Sequence, residues 1–267
     1  MSATLSTPPV HQTTGARPAR ARRDQRPGLR RLTRVELRKL TNTRSGFWTP
    51  IGIAAASLAI AIIAATHNGG RDATLTHVFH ATTFPAVFLL PVLGVLLICD
   101  EWSQRTTLTT FTLVPSRPRV LAAKLFACLI VSTIALLVCL LFAAIATQLF
   151  GHAAGGAGSI GLAVFAQSWL YLGSGMVMGL AFGAAILISA PAIVAYLLLP
   201  TIWDGVIGGI HALHGLATWL DSSQTLAPLT QQSLDATQWA RVLATFAVWI
   251  GLPMLIGAWR IGRGDID

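Results

Sequence analysis

One internal passage of the chain, from Asp100 to Lys124, gathers both acids and bases: Asp100, Glu101, Arg105, Arg117, Arg119 and Lys124. A run rich in Thr and Ser, including Thr106, lies between them and ends at Pro115 and Pro118. Side chains of these types make ion pairs and hydrogen bonds. Asp100 or Ser103 is placed to cap a short helix over 102–113, which the two prolines would end. Phe111 and Leu113 give that helix an apolar surface beside its polar one. A structured, charged loop between long apolar runs suits the docking of a partner. The plainer reading is a re-entry turn that carries inside charges.

Other constellations are weaker. The chain has two lysines, Lys39 and Lys124, and neither lies in a GxxxxGK[ST] phosphate loop, so ATP hydrolysis by that route is excluded. HExxH is also absent. Ser174, in Gly173-Ser174-Gly175, has no assignable base and acid and reads as a small packing residue. His67, His77, His80, His152, His211 and His214 include two i, i+3 pairs, a spacing open to copper or zinc, but no Cys or carboxylate completes a site. No resident metal or cofactor is expected. Cys99, Cys128 and Cys139 lie in or beside apolar runs and read as buried, reduced thiols. Asp204, beside an apolar run, is a candidate for a substrate path.

The elements that must position these residues are those of a membrane protein. Of 267 residues, 54% are hydrophobic and 11% are charged, against roughly 25% charged in soluble domains. The net charge of +9 comes mainly from the first 45 positions, which hold eleven of the nineteen Lys and Arg residues. No basic face interleaved with aromatics follows, so nucleic acid is not an expected partner. Residues 1–28 read as a disordered basic tail without a signal peptide's apolar core. Residues 29–45 read as an amphipathic helix in the headgroup plane, with Leu32, Val35 and Leu40 toward lipid and Arg30, Arg31, Arg34, Arg38 and Lys39 on the polar sides.

Apolar runs predict an all-α protein with six spans, at 46–66, 79–99, 125–150, 160–185, 188–208 and 240–259. With the N-terminus inside, seventeen of the nineteen Lys and Arg residues fall on the cytoplasmic side. Both termini, including the 260–267 tail, are then cytoplasmic, and so is the 100–124 loop. Gly175, Gly179 and Gly183 form a small-residue stripe, suited to close helix packing within one subunit or between two. Pro200 should kink or break the fifth span. The outer segment 209–239 suits short helices on the outer surface.

At the polar passage the sequence resembles the membrane subunits of ABC-2 type ATP-binding-cassette transporters. Their pattern is Glu at the end of the second span, Gly-Thr about four residues on, then Pro-x-Arg, a short apolar stretch and Ala-Lys. Here it reads Glu101, Arg105-Thr106, Pro115-Ser116-Arg117, Val120-Leu121 and Ala122-Ala123-Lys124, with Arg105 replacing the glycine. The basic N-terminal helix, six spans, apolar outer segment and Arg260-x-x-Arg263-x-Asp265 tail match as well, so the resemblance covers about residues 29–267.

The resemblance implies a non-catalytic permease of the cytoplasmic membrane whose 102–113 segment is a coupling helix. A separate soluble ABC ATPase subunit would seat that helix and bind ATP and Mg. A second permease subunit, identical or not, would complete the unit, and export is the expected direction. Glu101, Trp102, Arg105, Thr106, Phe111, Pro115, Arg117 and Lys124 would carry coupling, with Glu101 and Arg117 holding the lever's ends. A non-transporting membrane scaffold, or an ion-coupled carrier, is the alternative.

Overall fold

The computed structural model describes residues 28–67, 73–103, 117–151, 160–208, 215, 219–230 and 234–263. These residues form helices and no strand: α1 (Leu29–Asn42), α2 (Arg44–Thr66), α3 (Leu75–Ser103), α4 (Arg117–Phe150), α5 (Leu162–Ile186), α6 (Ser189–Gly208), α7 (Ser222–Leu226), α8 (Ala236–Phe246) and α9 (Leu252–Arg263). A 3₁₀ turn, Ala227–Thr230, follows α7, and a π turn, Ala247–Gly251, joins α8 to α9.

Among the described residues, five segments are long and apolar enough to cross a membrane: Arg44–Thr66, Leu75–Glu101, Pro118–Phe150, Leu162–Ile186 and Ala236–Arg260. The run expected at 188–208 forms α6, whose apolar part, Ser189–Trp203, is shorter. Pro200 lies inside α6 without ending it. In a span, neighbouring groups can satisfy the carbonyl that a proline leaves unpaired. Residues 1–27, 68–72, 104–116, 152–159, 209–214, 216–218, 231–233 and 264–267 lie outside the described residues, and with them most of the expected 1–28 tail and 102–113 helix and much of the expected 209–239 outer segment.

α3 and α5 form the centre, and small residues set their separation. A methyl group at Gly179 would overlap the Pro91 carbonyl, and one at Gly94 the carbonyl of Met176. At Gly183 it would stand 2.6 Å from Ile98 Cγ2. Gly175 is looser, with Pro91 Cγ at 3.5 Å. The stripe therefore packs against α3 of its own chain, where absent side chains let two backbones approach. Cys99, Cys128 and Cys139 are buried free thiols, and the Cys99 thiol donates to the Gly183 carbonyl at 3.6 Å.

Connections are tight where the sequence allows it. Thr43 caps α2 by accepting from the Gly46 amide at 3.1 Å, and Gly46 lets the corner close onto the Leu40 carbonyl. α5 ends at Leu187, whose φ of 66° is left-handed and whose amide bonds the Gly183 carbonyl at 2.8 Å. A non-glycine residue there costs on the order of 1 kcal/mol. That conformation turns the chain into α6 within two residues. Arg260 of α9 donates to the Ala185 carbonyl at 2.6 Å, which caps the same helix end.

The far end of α5 is closed by α7 and the π turn. Asp221 caps α7 through the Gln224 amide at 2.9 Å. The Thr225 and Thr245 hydroxyls pair at 2.9 Å, and Trp249 Nε1 donates to the Leu220 carbonyl at 2.9 Å. The outside of the bundle is apolar: Phe47, Trp48 and Ile63 of α2 and Ile134, Leu141 and Leu149 of α4 are all exposed. Such a ring is what lipid solvates.

Candidate functional site: a buried charge cluster at the root of the polar passage

α3 extends past the expected span end at 99 to Ser103, and α4 begins at Arg117 ahead of the expected 125. Trp102 and Ser103 therefore continue α3 and do not open a separate helix. The rest of the expected 102–113 helix, with Arg105, Thr106, Phe111 and Pro115, lies outside the described residues. Arg117 is the first residue of α4, and Asp204 lies near the end of α6.

Glu101 and Lys124 meet where the two helices enter the passage. Lys124 Nζ lies 3.0 Å from Glu101 Oε1 and donates to the Leu97 carbonyl at 2.9 Å, which ties α4 to the last turns of α3. Both side chains are buried. A buried charge needs a partner and its remaining hydrogen bonds, and α1 supplies them. Glu36 Oε2 accepts from Lys124 Nζ at 2.7 Å. Lys39 Nζ donates to Glu36 Oε1 at 3.0 Å and to Glu101 Oε1 at 2.5 Å. Two carboxylates and two ammonium groups thus alternate in one neutral cluster shared by three helices.

The burial pattern of α1 explains how. Thr33, Glu36 and Leu40 are its buried residues, at helical spacing along one face. Leu40 was expected to point toward lipid. Instead it is 8% exposed and belongs to the core, because α1 lies against α4 and the corner at Gly46. Val35, at 43% exposed, remains on the outer side. Lys39 reaches the cluster from the edge, its side chain 38% exposed. Burial alone would lower its pKa, but the hydrogen bond to Glu101 and the charges of Glu36 and Glu101 outweigh that and raise it above the ordinary 10.5.

Sequence reasoning picked out Glu101 and Lys124, put Lys39 on a polar side of the amphipathic helix, and gave Glu36 no role. A signal was present in the composition. The chain contains two glutamates and two lysines in all, at 36, 101, 39 and 124, and the cluster uses all four. Elsewhere the bases are arginine and the other acids are aspartate.

A second feature lies toward the other end of the bundle. A cavity of about 290 Å³ opens between α3, α5, α6 and the π turn. Its lining includes Phe88, Tyr171, Ser174, Tyr196, Thr201 and Trp249. Gly175 faces it, whereas Gly179 and Gly183 are taken up by α3. Among the described residues no three His, Cys, Asp or Glu side chains gather as a metal site requires.

Comparison with known proteins places these features in a family context. Residues 32–210 match the family described as "ABC-2 family transporter protein". That stretch contains all four charges of the cluster, the whole of the polar passage and the glycine stripe. No curated protein matches the chain.

Proposed function

The chain belongs to the ABC-2 family of transporter proteins, and from that membership we propose that it is the transmembrane permease subunit of an ATP-driven exporter. It crosses the cytoplasmic membrane six times with both termini inside. α6 is the fifth span, since twenty residues reach about 30 Å, the thickness of the hydrocarbon core. α1 lies along the inner face, and α7 with its 3₁₀ turn lies at the outer one. A soluble ABC ATPase, which binds the ATP and Mg, docks on the 100–124 passage, and a second permease subunit completes the unit. The permease itself performs no covalent chemistry.

The observation that supports this reading is the charge cluster. A push delivered to a floppy loop is absorbed by the loop. Here both roots of the passage, Glu101 and Lys124, are held to each other and to α1, so displacement of the passage is passed to α1, α3 and α4 together. Arg117, at the first position of α4, is the other end of the lever. The cavity beside Tyr171, Tyr196 and Trp249 is where one subunit receives an apolar substrate, since its walls are apolar with a few hydroxyls to orient a ligand.

The test is co-expression with a soluble ABC ATPase whose gene neighbours that of this chain, if one is found there, followed by co-purification and ATP hydrolysis in proteoliposomes. The wild type retains the ATPase, and Glu101→Ala and Arg117→Ala weaken hydrolysis coupled to the membrane subunit. If neither variant alters ATPase association or ATP-dependent transport, the lever is wrong. If no ATPase associates with the wild type, the chain is a membrane scaffold.

A further inference from the structure

Where α1 lies against α4, a groove of about 370 Å³ opens to the exterior. It is lined by Leu29, Thr33 and Leu37 of α1 and Phe126 and Ile130 of α4, with Arg30 and Arg34. Phe126 and Ile130 are one turn apart, and they are 48% and 38% exposed. Arg30 and Arg34, also one turn apart, share a helix face and are exposed. The charge cluster pairs both glutamates of the chain with its two lysines. Among the described residues, no ion pair holds either guanidinium.

We propose that this groove binds one anionic phospholipid of the inner leaflet, with its phosphate between Arg30 and Arg34 and an acyl chain along Phe126 and Ile130. The inference rests on the reading that α1 lies at the inner membrane face. Guanidinium groups match phosphate oxygens in pairs, which fixes the head. The apolar floor fixes the tail, since it runs on into the exposed ridge Ile134, Leu137 and Leu141 of α4. From 126 to 141 that ridge extends about 22 Å at 1.5 Å per residue, a length that suits an alkyl chain and is wasted on a free anion. A zwitterionic head brings its own cation toward the arginines and fits less well. The lipid also touches the helix whose buried face carries Glu36, so it buttresses α1 against α4.

The test uses the full chain in detergent micelles, titrated with phosphatidylglycerol, with phosphatidylcholine of the same chains, and with inorganic phosphate. Retained adducts in native mass spectrometry and thermal unfolding are the readouts. Phosphatidylglycerol is expected to bind on the order of tenfold or more tighter than phosphatidylcholine, from two arginines near one phosphate. Arg30→Gln/Arg34→Gln abolishes that preference and leaves phosphatidylcholine binding unchanged. Ile130→Trp, which fills the groove, lowers retention of both lipids. Equal binding of the two lipids, a preference that survives the double substitution, or protection by inorganic phosphate alone each overturns the site. A chain that still couples to its ATPase but shows no preference loses the lipid site alone. Failure of coupling, with the preference intact, removes the transporter reading instead.

Discussion

Removing the Lys124 ammonium takes from the buried carboxylates of Glu36 and Glu101 their buried partner and leaves them the partly exposed Lys39. Taking one partner from a buried ion pair costs about 3–5 kcal/mol, so Lys124→Met is expected to lower unfolding stability by that order in denaturant titrations. Lys39 is partly exposed, and solvent screens its pairs. Lys39→Met should therefore cost about 1 kcal/mol or less. Combining Glu36→Gln with Lys124→Met should recover part of the loss, and a double-mutant cycle measures the coupling. The pH dependence has a definite sign. Since the native pKa of Lys39 is raised above 10.5, its contribution is complete below that value. It declines as pH climbs from there through the native pKa. Thermal unfolding of wild type and Lys39→Met should converge only in that alkaline range. At this scale Glu101 and Lys124 were legible because a motif frames them. Glu36 and Lys39 were not, because a glutamate among arginines on an amphipathic helix looks the same whether solvent or a buried lysine faces it.

The helix pair α3–α5 makes a different kind of demand. Gly179→Ala forces a methyl group into the Pro91 carbonyl, and overpacking of this kind costs about 1–3 kcal/mol. Gly173→Ala meets only Leu129 Cδ2 at 3.7 Å, and helix propensity then favours alanine by up to about 1 kcal/mol. Thermal stability of the two variants should move in opposite directions. Five of the six apolar runs were readable as helices long enough to cross a membrane among the described residues, and the sixth, at 188–208, forms the shorter apolar helix α6. Three departures share a cause in tertiary contact. α3 and α4 continue into the polar passage because the cluster satisfies charges that would otherwise end them. Leu187 turns left-handed because Arg260 and α9 hold the end of α5. The π turn at Ala247–Gly251 carries no sequence signature of its own; Trp249 and Thr245 are held there by bonds to the 219–220 backbone.

For the whole molecule, the count of crossings decides which side each loop faces. With α6 as a span, Thr41 and Thr237 lie on opposite sides of the membrane; if α6 does not cross, they share one. The three native cysteines are buried, so single Thr41→Cys and Thr237→Cys variants can be read with an impermeant thiol reagent. Labelling of Thr237→Cys from outside and of Thr41→Cys only after permeabilisation is expected. Labelling of both from the same side removes the six-span arrangement.

The charge cluster has a practical corollary in amine chemistry. Both side-chain amines of the protein, Lys39 and Lys124, are engaged in it, one partly exposed and the other 2% exposed. An acylating reagent therefore reports on this one place and on no other lysine. In the resting chain Lys39 should acylate slowly and Lys124 hardly at all. Any step that pulls α1 from α4 should expose Lys124 to the reagent, so the mass of a single tryptic peptide becomes a clock for that separation.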